Sequence, residues 1–270
     1  PDSILWRSQY DPVNEQADIL HDQARFWGQR NIHYHQNLLA GENTVNFQLA
    51  RALHEQVKSH GSYDPTRWAE LYVQLMRTPD WHRDTYVEEY HRAFFNRYAS
   101  GKRILKCGIS DEHIGGLATV ASLLAALPEG DHRQTAKEHV TLTHRHSNVL
   151  RAADCLTRLL QEISIGTPLR EALMAAAGDW FSTRKANDWS RQPDRIIIGQ
   201  RLSPACYIDQ AFPASLYLAW KYHDDFPAAI IANAKVGGDN CHRGAVVGSL
   251  VAAEIFRATK KFDLSPFPLD

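Results

Sequence analysis

The 270-residue chain is 44% hydrophobic and 23% charged, enough apolar mass for a sizeable core. Its 30 basic and 31 acidic residues leave a formal charge of −1, which excludes the electrostatic footprint of a nucleic-acid binder or of a protein held on an anionic membrane. No apolar run approaches membrane-spanning length, and Pro1–Arg7 carries no signal-peptide core. The four cysteines, Cys107, Cys155, Cys206 and Cys241, are dispersed without a CxxC pair, so we expect reduced thiols and a cytoplasmic protein. No repeat, linker or low-complexity tract divides the sequence, which we read as a single domain over 1–270.

Asp18–Trp27 is a short helix-like run ending near Gly28. His33 and His35, two apart, either approach a ligand or sit on the surface. Gly41-Glu42-Asn43-Thr44 then precedes Val45, Leu49, Ala52, Leu53 and Val57 at helical spacing, which predicts a helix starting near Asn43 with Asn43 or Thr44 as its cap. Stripes of Trp68, Leu71, Tyr72 and Leu75 within 66–76, and of Tyr90, Phe94, Phe95 and Tyr98 within 84–99, read as core-facing helices. Ser110–Leu117 leads into an alanine-rich helix that runs through Leu127 and stops at Pro128. Its Asp111, Glu112, His113, Gly115 and Gly116 make either a loop able to approach a sugar diol or a capped helix start. Thr143-His144 and Ser147 introduce an amphipathic helix carrying Val149, Ala153, Leu156, Leu160 and Ile163.

Thr167-Pro168 opens the next helix with proline at its first position, running to Gly178. From 181 to 206 the pattern breaks, apart from Ile196-Ile197-Ile198, a short strand or a buried connection. A helix from Phe212-Pro213 passes Leu216, Ala219 and Trp220, and Asp224 or Asp225 with Pro227 starts the one that delivers Gly237. Gly237 and Gly238 can take positive φ and end that helix, while Asp239 or Asn240 caps the last one. In this last helix Gly244 and Gly248 share a face with room for a close neighbour. The cluster Asp239, Asn240, Cys241 and His242 at its start is either ordinary capping chemistry or a ligand site, for an anion at the helix terminus or for a cation.

Gly237-Gly238-Asp239-Asn240-Cys241-His242, followed by a small-residue helix, resembles the carboxyl-terminal Gly-Gly-Asp-Thr-Asp-Thr signature of ADP-ribosylglycohydrolases, and most closely that of the crystallin-like branch. Gly41-Glu42-Asn43-Thr44 is similar to that family's Thr-Asp-Asp-Thr, Ser110–Leu117 to its ADP-ribose-cradling loop, and Thr143-His144 to its Thr-His pair. The resemblance covers roughly residues 31–256, while the family's first motif, of the Gly-Asp-Ala-Leu-Gly type, has no match in the chain. It implies an all-α orthogonal multi-helix bundle in which the helix starts near 43 and 240 meet at one cleft. It further implies Glu42 as the remaining catalytic carboxylate, and Glu42, Asn43, Thr44, Asp239, Cys241 and His242 as metal-facing positions. Asp111, Glu112, His113, Gly115, Gly116 and Asn240 fall at the substrate. Family enzymes hold two magnesium ions, and replacing aspartates by Asn43 and Cys241 predicts Mg²⁺ bound more weakly or in fewer copies. The implied function is hydrolysis or binding of a small-molecule or protein-linked ADP-ribosyl group or a related glycoside. The alternative is a non-catalytic nucleotide-binding or structural crystallin-like protein.

Overall fold

The computed structural model describes residues 10–21, 23 and 35–261. The end of the helix-like run near Gly28, and His33, lie outside the described residues. Regular structure among the described residues is helical, and β pairing among them is confined to isolated bridges. The first half contains α1 (Val45–His60), α2 (Pro65–Arg77), α3 (Glu89–Ala99), α4 (Val120–Ala126) and α5 (Arg133–Thr141). Next come α6 (Ser147–Ser164), α7 (Leu169–Ala176), α8 (Thr183–Ser190) and a single turn, α9 (Asp194–Ile196). The bundle closes with α10 (Ile208–Lys221), α11 (Phe226–Val236) and α12 (Asn240–Thr259).

Two apolar clusters build the core. Leu49, Leu53, Trp68, Met76, Phe94 and Phe95 hold α1, α2 and α3 together. A larger cluster joins α6, α10 and α12 through Leu156, Leu159, Phe212, Leu216, Val247 and Leu250. The predicted stripe of α6 is buried at Val149, Ala153, Leu156 and Ile163. In α10 every residue from Ala214 to Trp220 is buried, the mark of a helix surrounded by others.

Several boundaries differ from expectation. The helix predicted over 84–99 begins at Glu89, because Asp84, Thr85 and Glu88 are buried in an extended approach that serves other elements. The alanine-rich helix is shorter than predicted: Ile114–Leu117 forms a 3₁₀ turn before α4. Pro168 caps α7 rather than occupying its first turn, and α10 starts four residues before Phe212 with Pro213 inside it. Ile197 and Ile198 are a buried kinked connection.

Candidate functional site

The starts of α1 and α12 face each other. Asn46, in the first turn of α1, places its amide nitrogen 2.9 Å from His242 Nε2, in the first turn of α12. Asp239 caps α12, accepting the His242 N–H at 3.3 Å, and its carboxylate also lies 2.9 and 3.0 Å from His242 Nδ1. On the opposite side of that ring, Glu88 Oε1 is 3.2 Å from Nε2. His113 stands edge-on to His242, with ring centroids 4.8 Å apart and planes at 89°, and its Nε2 is 3.7 Å from Asp239. Ligand atoms of His113, Asp239 and His242 all lie within 4.8 Å of one another, close enough to hold a metal ion.

Charge in this cluster is balanced internally. Burial works against a cation at His242, but the facing Asp239 and Glu88 carboxylates outweigh it and hold the imidazole well above its ordinary range. Burial also works against both carboxylates, yet His242 keeps Glu88 and Asp239 below the ordinary range. His113 is pushed down, first by burial and then by the His242 charge. A buried shell continues the network: the Tyr72 hydroxyl donates to His91 Nδ1 at 2.6 Å, and His91 Nε2 and the Tyr90 hydroxyl donate to Asn46 Oδ1 at 3.0 and 3.2 Å. His91 is pushed down to about 4 by burial. A cavity of about 40 Å³ borders Asn46, Tyr72, Tyr90 and His91, with room for water but not for a ribose.

One short segment sets the geometry. The Cys206 carbonyl accepts the Ile114 N–H at 2.8 Å, and Ile208 N–H donates to the Glu112 carbonyl at 2.8 Å, which fixes the loop carrying His113. The Pro204 carbonyl accepts the Asp239 N–H at 3.0 Å and an Arg243 N–H at 3.3 Å, which fixes the turn carrying Asp239. Arg243 is fully buried and also donates to Asn233 Oδ1, to the carbonyls of Asn233 and Gly237, and to Asn240 Oδ1.

The residues singled out from sequence fall in different places. Asp239, His242 and His113 meet. Asn240 serves Arg243 at 2.9 Å, and Asp111 accepts the His113 N–H at 2.8 Å. Glu112 is 3.4 Å from His146. Gly115 and Gly116 are buried, and a Cβ on either would strike the Tyr90 hydroxyl or the His144 ring, so their lack of a side chain serves internal packing. His144 is buried, hydrogen-bonded to Thr143 Oγ1 at 2.9 Å and held well below its ordinary pKa, chiefly by burial. The Glu42 carboxylate accepts the Leu39 N–H at 2.8 Å and pairs with Arg83 at 3.1 Å. The Asn43 carbonyl accepts from Gln48 at 3.2 Å, and Thr44 sits at the cap position of α1 without a side-chain cap bond. That cap is supplied by buried Asp84, which accepts the Val45 N–H at 2.9 Å and His35 Nδ1 at 2.5 Å. Cys241 is exposed and interacts with His35.

Sequence reasoning did not single out Glu88, Asn46, His91 or Arg243, and took Tyr72 and Tyr90 only as core stripe. One available signal was Arg243, an arginine next to His242 in the first turn of the last helix, ahead of its small and apolar residues.

A search of curated proteins found no match. A solved structure described as an "ADP-ribosylglycohydrolase-related protein complex" is similar over 84% of this chain and 74% of that chain, with a TM-score of 0.59 and 21% identity, which speaks for a shared fold. A family model described as ADP-ribosylglycohydrolase matches residues 6–255. With nearly its whole length matched and the same all-α fold, the chain belongs to the ADP-ribosylglycohydrolase family.

Proposed function

We propose that this protein is a divergent ADP-ribosylglycohydrolase that binds an ADP-ribosyl group, free or protein-linked, or a related N- or O-glycoside, between the starts of α1 and α12, and turns it over weakly or not at all. The observation that carries this reading is the chain Asp239–His242–Glu88, joined to Asn46 at 2.9 Å, which keeps two carboxylates where those helix starts meet. The unpaired N–H groups of a helix start favour a pyrophosphate, and a carboxylate accepts sugar hydroxyls. Asp239 is the carboxylate we assign to any residual proton transfer. Glu42 remains the rival, although its pairing with Arg83 holds it in another set of contacts. The alternative, a structural crystallin-like role, is favoured by the mutual satisfaction of groups that are nearly closed to solvent: His242 is 4% exposed. Four free thiols fit a cytoplasmic setting.

The test is calorimetric titration with ADP-ribose, run beside hydrolysis of ADP-ribosylated peptides by the wild type, Asp239→Ala and Glu42→Ala. Saturable binding that Asp239→Ala weakens at least tenfold, with little release of ADP-ribose, is the expected result. Absence of binding by a folded wild type would leave the structural role. Robust release abolished by both substitutions would establish a true hydrolase.

A further inference from the structure

The family's divalent ions do not fit this chain's donors. A hard cation asks for several oxygens converging from one side, whereas Asp239 and Glu88 stand on opposite sides of one imidazole ring, 2.9 Å from Nδ1 and 3.2 Å from Nε2. The third carboxylate that the resemblance offers, Glu42, is engaged by Arg83. A softer ion on His113, Asp239 and His242 meets a different obstacle. The Gly115 N–H donates to His113 Nδ1 at 2.8 Å, so that nitrogen carries the lone pair and the ring proton of neutral His113 sits on Nε2, the atom facing Asp239. A metal on Nε2 would move the proton to Nδ1, against a backbone N–H that the 3₁₀ turn holds in place. His242 Nδ1 likewise faces both oxygens of Asp239 and is spent as a donor to them.

We infer that the His242 imidazolium occupies the cation position of this family member, bridging Asp239 and Glu88, and that the site works without a metal ion. His242 stands where the signature it resembles has its last threonine, so the substitution that removes an oxygen ligand also brings in the replacement charge. A buried carboxylate pair without a counter-ion would be strongly destabilising, and the ring supplies charge and two N–H donors in one group. The Asn46 amide nitrogen donates to the same Glu88 oxygen at 3.0 Å and lies 2.9 Å from Nε2, so two N–H donors converge on one carboxylate oxygen, while the Asn46 oxygen is committed to Tyr90 and His91. A neutral ring accepting from Asn46 would turn its Nε2 lone pair toward the Glu88 carboxylate, and the imidazolium removes that repulsion. Neutral His113 beside it avoids a like-charge pair.

This inference concerns the cation rather than the glycoside, so its test is separate from the ligand titration. Wild-type protein freed of metal by chelation is titrated with Mg²⁺, Mn²⁺ and Zn²⁺ by calorimetry and by thermal shift, and two-bond ¹H–¹⁵N NMR spectra read the protonation of each histidine ring at pH 7. We expect no saturable binding at millimolar ion, no shift of the melting point, two protonated nitrogens on His242 and an Nε2–H His113. In His242→Ala, where the carboxylates lose their partner, divalent ions are expected to recover part of the lost melting temperature. Saturable binding by the wild type that perturbs His242 or His113, a singly protonated His242, an Nδ1–H His113, or a folded His242→Ala indifferent to divalent ions would each overturn the inference. If the variant does not fold, the wild-type titrations and spectra decide.

Discussion

The two glycines before Asp239 serve different needs. Gly237 has φ +77° with no neighbour within 4 Å of where a Cβ would sit, so its constraint is the backbone alone. Gly238 has φ +72°, and its added Cβ would meet the Pro204 carbonyl oxygen at 2.0 Å. Gly237→Ala is therefore expected to cost about 1–3 kcal/mol from strain, and Gly238→Ala a further ~1–3 kcal/mol from overpacking, measured as urea unfolding midpoints. Equal losses would mean that the Pro204 contact is not limiting. Sequence showed the turn, since paired glycines before a capping aspartate announce a helix stop and start, but not the tight approach that makes the second one indispensable. The same limit applies to the site. Asp239 and His242 were visible in one local motif, whereas Glu88 carried no local signal and Tyr90 read as core packing, because their partners are remote along the chain: Asn46 is 42 residues from Glu88 and 44 from Tyr90, and His242 lies farther still, in the last helix.

At the level of helices, legibility followed the range of the cap. Asp64 accepts the Arg67 N–H and Asp225 the Ala228 N–H, three residues on, and both starts follow from local sequence. Two others are capped from afar: α1 by Asp84, and α7 by Glu254 of α12, which accepts the Leu169 N–H at 2.9 Å. The periodicity of α1 was plain, and Thr44 lay at the cap position, but its side chain makes no cap bond. Thr44→Ala should thus change stability by no more than about 0.5 kcal/mol. Asp84→Ala should cost about 3 kcal/mol, because it removes the cap and also takes the carboxylate partner from half-buried His35. Amide exchange at Val45 checks the assignment: protection falls in the Asp84 variant and holds in the Thr44 variant.

For the whole molecule, buried histidines predict how stability depends on pH. His139 lies between Thr119 Oγ1 and the Tyr63 hydroxyl, at 2.7 and 3.1 Å, and burial pushes it down to about 4. His91 is pushed down to about 4 as well, also by burial. Below the ordinary value of 6.5 the unfolded chain takes up protons that these folded rings refuse. Stability therefore falls as pH drops from about 6.5 to about 4, by about 1.4 kcal/mol per pH unit for each ring. His35 acts on the other limb: burial opposes its charge, but Asp84 and Cys241 raise it to about 10, so its contribution is complete below 6.5 and disappears as pH rises toward 10. Urea midpoints should peak near pH 6.5, and His139→Gln should flatten the acid limb by one proton; an unchanged acid slope would assign that limb to other groups. The segment around Pro204 and Cys206 carries a consequence for how the chain can vary. Loops usually absorb insertions, because closing a longer loop costs little. Here the Pro204 and Cys206 carbonyls are two residues apart and bind two different parts of the site, Asp239 and Ile114, so the spacing between them acts as a ruler. Lengthening it by one residue would shift Asp239 relative to His113 while leaving every helix intact, making this stretch intolerant of the length changes that loops elsewhere on the surface accept.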